Sequence, residues 1–174
     1  MRKLLKIFLK DDRAVAAIEA GFLMPVLLAI LCGMVDMGMA VVTNLKVTNA
    51  AQMASDLVSR GATVTTAEIN DAIVAGRMAM QPYSTTSYGI DVVGIQFVGV
   101  SLTPTVRWRQ TENMEPNTAV LTNSMGLGLQ DEGVIAVTVR YTFTPYFTGF
   151  LVDTLVMEEE AYVRGRKGGF VSRV

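Results

Sequence analysis

Residues 14–42 read AVAAIEAGFLMPVLLAILCGMVDMGMAVV, an almost wholly apolar stretch whose charged side chains are Glu19 and Asp36. A helix needs about 20 apolar residues to cross the roughly 30 Å hydrocarbon core of a bilayer. This stretch supplies them even if either end lies among the lipid headgroups. The sequence therefore predicts a single membrane-spanning helix near the start of the chain.

The two flanks of this stretch differ in charge. Basic side chains precede it at Arg2, Lys3, Lys6, Lys10 and Arg13. Asp11 and Asp12 stand among them, and the first basic residue after the stretch is Lys46. Because positively charged flanks stay in the cytoplasm, we predict a cytoplasmic N-terminus and an extracytoplasmic location for everything after about residue 42.

The apolar stretch does not have the form of an ordinary secretory signal peptide. Such a peptide has a shorter apolar core and a small-residue cleavage site, whereas Ala40-Val41-Val42 continues into a helical pattern. Two alternatives remain, a plain signal anchor and a segment cut on its cytoplasmic side. Glu19 bears on this choice because a carboxylate at the centre of a membrane helix costs up to about 3 kcal/mol. It is either an interfacial carboxylate helped by the helix dipole or one that meets a cationic partner.

The residues around Glu19 resemble those of a known family. Arg13-Ala14-Val15-Ala16-Ala17-Ile18-Glu19 is followed by Gly21-Phe22-Leu23-Met24-Pro25-Val26-Leu27-Leu28 and by Gly33-Met34-Val35-Asp36-Met37-Gly38. This order is similar to the N-terminus of TadE/TadG-like pseudopilins, the minor pilin-like components of bacterial tight-adherence (Tad/Flp) pili. The internal Pro25 and the acidic-x-Gly element that begins at Asp36 both match the family pattern.

The resemblance implies a processed structural subunit. In this family, as in type IV pilins, a membrane-embedded aspartic prepilin peptidase removes a basic leader, and a glutamate lies at the fifth mature position. Here cleavage would fall between Ala14 and Val15, which makes Glu19 the fifth residue and the assembly residue. Ala14 stands where prepilins typically have glycine, and Ala20 where an aromatic residue is common. The implied partners are the prepilin peptidase, other pilin-like subunits, pilus assembly proteins and the membrane.

The helical pattern continues beyond the apolar stretch as an amphipathic arm. Apolar residues recur at three- and four-residue spacing at Leu45, Val47, Ala50, Ala51, Ala54, Leu57 and Val58. The opposite face is predicted to carry Lys46, Asn49, Gln52, Ser55 and Ser59. Gly61, which follows Arg60, is the predicted C-cap of this arm.

A second, shorter helix is predicted over about 66–80. Thr65 and Glu68 have the spacing of a capping box, and Pro82 follows the segment. The apolar stripe of this helix consists of Ile69, Ile73, Gly76 and Met80.

After residue 84 the pattern changes from helical to alternating. Apolar side chains at Ile135, Val137, Val139, Tyr141 and Phe143 alternate with polar ones. This alternation indicates a strand with one buried face. Further strands are predicted at 90–98, with an irregularity near Gly94, around 106–109 and at 155–164. Short or polar connections favour an antiparallel sheet of about four strands packed on the helices, with a long surface loop over 112–133.

The C-terminal strands also resemble the TadE-like family. The stretch Tyr141-Thr142-Phe143-Thr144-Pro145 has the family's aromatic-x-aromatic-x-Pro form. It leads to a last strand with an arginine near its end, here Arg164. The resemblance therefore covers both ends of the chain in the expected order.

Composition excludes several classes of function. Lys and Arg total 15 against 16 Asp and Glu, a net charge of −1, so no bulk positive field favours nucleic acid as a partner. The sequence has no histidine and one cysteine, Cys32. These counts exclude histidine-based triads, an intramolecular disulfide and cysteine-cluster metal sites. Since no glycine-rich phosphate loop opens a helix either, we predict no enzymatic activity, no cofactor and no metal site.

Other candidate sites have more ordinary explanations. Five acids could bind a cation together: Asp131, Glu132, Glu158, Glu159 and Glu160. An exposed edge strand also uses charge to prevent aggregation. Trp108 could stack a base, but on an alternating strand it is more often a core residue between solvated neighbours, here Arg107 and Arg109. A membrane-anchored hydrolase that uses the five acids is less favoured than the two structural hypotheses given below.

The sequence predicts a structural α+β protein in three segments. Residues 1–14 form a basic cytoplasmic leader, 15–60 the membrane helix with its amphipathic extension, and 61–174 an extracytoplasmic head. The preferred hypothesis is a pseudopilin held in the bacterial inner membrane, with a periplasmic head, before it joins an adhesive surface pilus. The alternative is an uncleaved, signal-anchored periplasmic interaction or scaffold protein.

Overall fold

A computed structural model of the chain describes residues 12–149, 152–167 and 169–174. Its longest helix, α1, spans Asp12–Val58 and contains Pro25. Over the described ranges, α1 is the one helix long and apolar enough to cross a membrane, with a mean hydropathy of 2.3 in its apolar part. The predicted long N-terminal helix is confirmed, whereas most of the predicted leader, residues 1–11, lies outside the described residues.

The chain forms two compact units. One consists of the described residues up to Ala40 together with Thr144–Asp153. The other consists of Val41–Phe143 and Thr154–Val174. The first unit holds the apolar part of α1 and the loop that connects two strands; the second holds the end of α1 and the sheet.

Four antiparallel strands form the sheet of the second unit. They are β2 (Gly89–Val98), β3 (Thr103–Glu112), β4 (Gly133–Phe143) and β5 (Leu155–Arg164). Their order across the sheet is β3-β2-β4-β5. The predicted antiparallel sheet and the α+β class are confirmed. The single buried face predicted for the strand at 135–143 is wrong. As a central strand, β4 is buried at every position from Gly133 to Val139 and alternates only from Arg140 onward.

The irregularity predicted near Gly94 is also confirmed. The register between β2 and β3 shifts between Gly94 and Ile95. Glycine leaves room there for Trp108, whose indole atoms would lie only 2.3 Å from a Cβ at Gly94. Trp108 is buried, as predicted, and its Nε1 donates a hydrogen bond to the Val171 carbonyl oxygen at 2.8 Å.

The second helix, α2, spans Thr66–Ala79 and begins with the predicted capping box. The Glu68 backbone N–H donates to Thr65 Oγ1, and the Thr65 backbone N–H donates to Glu68 Oε2 at 2.7 Å. The predicted stripe is buried, and Gly76 within it allows a close approach to α1. A Cβ at Gly76 would lie 3.2 Å from the Ala50 carbonyl oxygen.

The arm of α1 is amphipathic, but its buried face differs from the predicted one. Ser55 and Ser59 are fully buried rather than solvated, whereas Leu45 is 59% exposed. Each serine hydroxyl donates to a carbonyl oxygen one turn earlier, Ser55 to Gln52 and Ser59 to Asp56. Because the helix backbone satisfies these hydroxyls, a small serine can lie in a packed face.

Three short features were not predicted or differ from the prediction. A parallel strand pair joins β1 (Thr63–Val64) to β6 (Ser172–Arg173). A short helix, α3 (Ala119–Asn123), lies within the predicted loop 112–133. Gly61 is not a left-handed cap, since α1 ends at Val58 and the φ of Gly61 is not positive.

Candidate functional site

The predicted assembly residue lies on an exposed part of α1. Glu19 and the predicted new N-terminal residue, Val15, are both solvent-exposed, as are the apolar side chains that follow up to residue 31. The other side of the predicted cleavage bond is Ala14, whose side chain lies outside the described part of the chain. This half of α1 therefore has an exposed surface that is apolar except for the Glu19 carboxylate.

Glu19 is not neutralised by the rest of the described chain. Among the described residues it has neither a hydrogen-bond partner nor an ion-pair partner. A carboxylate that is left without a partner in an apolar environment is costly. Within the described chain, the carboxylate of Glu19 is therefore left unpaired.

Asp36, the second acid on the apolar stretch, is held in a different way. It is only 4% exposed because the loop Thr144–Asp153 of the same unit covers it. Backbone N–H groups of three successive residues donate to its carboxylate: Tyr146 at 2.9 Å, Phe147 at 3.1 Å and Thr148 at 2.7 Å. The Thr148 hydroxyl adds a further hydrogen bond of 2.7 Å. We call this arrangement the Asp36 clamp.

The local sequence explains why the loop can surround a carboxylate. Pro145 restricts the backbone immediately before the three donors, and successive N–H groups in a tight bend converge on one anion. The loop is closed by a hydrogen bond of 2.9 Å from the Val152 N–H to the Thr148 carbonyl oxygen. Asp36 begins the acidic-x-Gly element of the family resemblance, but the sequence did not predict the loop that binds it.

Two aromatic side chains of the clamp are left exposed, whereas the Thr148 hydroxyl is turned to the carboxylate. Tyr146 is 67% exposed and Phe147 is 53% exposed. The polar backbone of the bend is therefore turned inward, whereas its aromatic side chains face outward. Large aromatic side chains left exposed in this way mark a surface that contacts something less polar than water.

A second carboxylate site, which the sequence also did not predict, lies on the sheet. Thr111, Asp91, Thr138 and Glu160 are cross-strand neighbours that form a row over all four strands of the sheet. Asp91 is fully buried and accepts hydrogen bonds from the Thr111 hydroxyl at 2.7 Å and from the Asn117 N–H at 3.0 Å. Asn117 also donates through its side chain to Thr138 and Glu160. This row is a satisfied polar core that fixes the loop between β3 and β4.

Hydrogen bonding sets the charge state of Glu160. Burial alone would raise the pKa of this carboxyl, but hydrogen bonds from Tyr162, Asn123 and Asn117 outweigh burial and lower the pKa below its usual range. Burial and the neighbouring carboxylate in turn raise the pKa of the Tyr162 hydroxyl. The site therefore stabilises an ionised Glu160 without any metal ion.

The five acids proposed for cation binding do not converge. Glu158 pairs with Arg140 at 2.7 Å, and Glu159 accepts a hydrogen bond from Asn44 at 3.0 Å. Glu132 lies 3.5 Å from Arg164, the arginine that the resemblance placed in the last strand. Over the part of the chain that the structure describes, no three such side chains form a metal-binding group.

Arg109 is not the solvated neighbour of Trp108 that the alternating pattern predicted. Its Nε lies 3.4 Å from Asp91 Oδ1, and its side chain is mostly covered. The guanidinium also donates a hydrogen bond of 2.9 Å to the Asn117 carbonyl oxygen. A buried aspartate draws the arginine inward because an unpaired buried charge is costly.

Comparison with known families identifies the part of the chain that carries the candidate site. The family model described as TadE-like protein matches residues 14–56. This segment is TadE-like. No curated protein and no solved structure matches the chain. The TadE-like segment contains Glu19 and Asp36 and extends through most of α1.

The match agrees with the resemblance noted in the sequence. The TadE-like segment links the chain to the tight-adherence pilus system, and its apolar helix indicates membrane anchoring. Two acids on this helix define the candidate site, one clamped within the chain and one available to a partner.

Proposed function

We propose that this protein is a pilin-like structural subunit of a Tad-type pilus. It is inserted in the inner membrane with its N-terminus in the cytoplasm and its head in the periplasm, and a prepilin peptidase removes the leader between Ala14 and Val15. The observation that carries the proposal is Glu19, a carboxylate that has no partner among the described residues and lies on the exposed apolar part of a TadE-like helix. The described part of a single chain does not pair this carboxylate, whereas a neighbouring helix in an assembly can.

Cleavage supplies the group that Glu19 lacks. The peptidase would leave a free α-amine on Val15, and this amine is largely cationic at neutral pH. Both charges lie near the same end of the apolar helix, so a neighbouring subunit can bring its amine to the Glu19 carboxylate. Pairing offsets the cost of holding each charge among packed apolar helices. Other pilin-like subunits are therefore the proposed partners of this surface.

Processing is tested by the mass and N-terminal sequence of the protein. Material is recovered from membranes and from sheared surface fractions of cells that produce the wild type, Ala14→Leu or Ala29→Leu. The wild type and Ala29→Leu, which adds the same bulk far from the bond, should begin at Val15. Ala14→Leu should accumulate as the full-length chain, because a larger residue does not fit a narrow protease subsite. An intact Met1 in every wild-type pool favours the uncleaved anchor instead.

Topology is tested separately from cleavage. A reporter that is active only outside the cytoplasm, fused after Val174, should be active with the wild-type leader. Replacement of Lys3, Lys6 and Lys10 by Glu should weaken or invert this orientation, since the basic flank holds the leader inside. A wild-type fusion that is present at full length but inactive contradicts the single-span arrangement.

A further inference from the structure

The Asp36 clamp lies at a defined distance from Glu19 along one helix. At 1.5 Å per residue the two acids are about 25 Å apart, close to the roughly 30 Å thickness of the bilayer core. When Glu19 lies at the cytoplasmic edge of the core, Asp36 lies near the opposite edge. The loop Thr144–Asp153 is therefore held at the level where lipid tails give way to headgroups.

The polar groups of this loop are arranged for a medium that contains little water. Three backbone N–H groups and the Thr148 hydroxyl are satisfied by Asp36, so they do not need water as an acceptor. In hydrocarbon or near it, every backbone polar group left unsatisfied costs several kcal/mol in general. The Asp36 carboxylate is itself covered, which leaves neither partner of the clamp exposed as a bare polar group.

The outward surface of the loop suits the same medium. Tyr146 and Phe147 are exposed, and the sequence Thr144–Val152 contains no charged residue. On the helix, the apolar side chains of Met34 and Met37, which flank Asp36 in sequence, are exposed as well. Aromatic residues are enriched where a membrane meets water, because an apolar ring and a polar tip can each find a suitable environment there.

We propose that the described part of this loop, residues 144–149, is a membrane-interface element. The Asp36 clamp fixes it to the helix, and the rings of Tyr146 and Phe147 lie in the headgroup region of the periplasmic leaflet. The partner is the phospholipid surface itself, because the loop is continuous with the exposed apolar surface of the membrane helix and carries no charge over residues 144–152 to recognise a charged partner. This role does not depend on leader cleavage or on pilus assembly.

The proposal is tested with tryptophan as a depth probe in the full chain. The protein is reconstituted in phospholipid vesicles as the wild type, Phe147→Trp or Tyr146→Trp. The native Trp108, which is buried in the second unit, gives the background signal of the wild type. Val100→Trp is the matched control, since Val100 is 94% exposed in the turn between β2 and β3. Fluorescence is quenched either by brominated lipids or by water-soluble acrylamide.

Both loop probes should be quenched at least twofold more strongly by lipids brominated near the headgroup than by lipids brominated near the chain ends. Acrylamide should quench them much less than it quenches Val100→Trp. Strong acrylamide quenching without lipid quenching would place the loop in water and overturn the proposal. Protection from both quenchers that increases with the protein-to-lipid ratio would identify a protein partner instead, and would equally overturn it.

Discussion

Glu19 and Asp36 are acids on the same apolar helix, yet their surroundings are opposite. Asp36 accepts hydrogen bonds from three backbone N–H groups and a hydroxyl of its own chain. Glu19, about 25 Å away along the helix, has no partner among the described residues. The fold satisfies the Asp36 carboxylate, and we propose that a group from another molecule satisfies the Glu19 carboxylate.

We therefore assign Asp36 a structural role and propose an assembly role for Glu19. Loss of the Asp36 charge should disturb the subunit itself, and loss of the Glu19 charge should disturb only its association. The sheet contributes a third case, Glu160, whose polar neighbours all belong to its own unit. The three acids thus allow matched substitutions that separate folding from assembly.

The largest effect is expected for Glu19→Gln, which keeps the size of the side chain and removes its charge. Loss of one partner from a buried ion pair costs about 3–5 kcal/mol. This cost lowers the association constant between subunits by at least roughly a hundredfold. Cleavage, abundance and topology should stay normal, while surface pili and co-purification with other pilin-like subunits are lost. Glu19→Asp should be intermediate because it keeps the charge at shorter reach.

The control for this substitution is Glu115→Gln, the same change at an exposed position of the second unit. It should assemble like the wild type. If Glu19→Gln also supports wild-type adherence and partner recovery, the carboxylate is an ordinary interfacial residue, and the contrast with Asp36 has no functional meaning.

Asp36→Leu should release the clamp, because the backbone N–H groups of Tyr146, Phe147 and Thr148 lose their acceptor. We expect roughly tenfold faster proteolysis of the loop Thr144–Asp153 in detergent-solubilised protein. Asp36→Asn keeps one acceptor oxygen and should be intermediate. Asp153→Asn, at an exposed position of the same loop, is the control. Equal cleavage rates in the wild type and Asp36→Leu would show that the clamp does not hold the loop.

Glu160→Gln should destabilise the second unit by about 1 kcal/mol at neutral pH, since charge-assisted hydrogen bonds become neutral ones. The pKa of Glu160 is lowered in the folded state, so its stabilisation is fully present above the unfolded pKa, near 4.5. It is lost as the pH falls through the lower folded value. Urea unfolding of the wild type and the variant should therefore differ at pH 7 and converge once the pH lies below the folded pKa of Glu160. A difference that grows on acidification contradicts this assignment.

The last effect, no larger than that of Glu160→Gln, is expected at the capping box, which belongs to the second unit. Thr65→Ala should cost about 1 kcal/mol of stability, measured by thermal unfolding of the solubilised protein. Thr65→Ala removes the hydroxyl donor but keeps the backbone N–H that donates to Glu68. Glu68→Gln should therefore add only a small cost, since the amide oxygen still accepts from this N–H. Pilus assembly should be unchanged in both variants, provided that the protein remains folded.

Much of the fold could be predicted from the sequence because its signals are local. The existence of β4, the span of β5 and the capping box of α2 each depend on residues within a few positions of one another. The long apolar helix is likewise a property of one continuous stretch. Period and capping arguments succeed in such cases because neighbouring residues carry all the information.

The contacts that define the sites could not be predicted in the same way. Asp36 and Tyr146 are separated by 110 residues, and the groups that bind Asp36 are backbone N–H groups that any residue but proline carries. The row from Thr111 to Glu160 depends on the registers of three strand pairs. Ser55 and Ser59 were misplaced because their burial depends on helix-backbone acceptors rather than on hydropathy.

The pairing proposed for Glu19 can be tested directly by zero-length cross-linking in intact membranes. A membrane-permeant carbodiimide joins a carboxylate to an adjacent amine as an amide, with loss of water and without a spacer. We predict a peptide in which the Glu19 side chain is bonded to the N-terminal amine of another processed pilin-like chain, and its absence in Glu19→Gln. Mixed isotope labels distinguish a bond between two copies from one within a single chain. If Glu19 reacts with no amine, or only with the amine of its own chain, it is not the assembly residue.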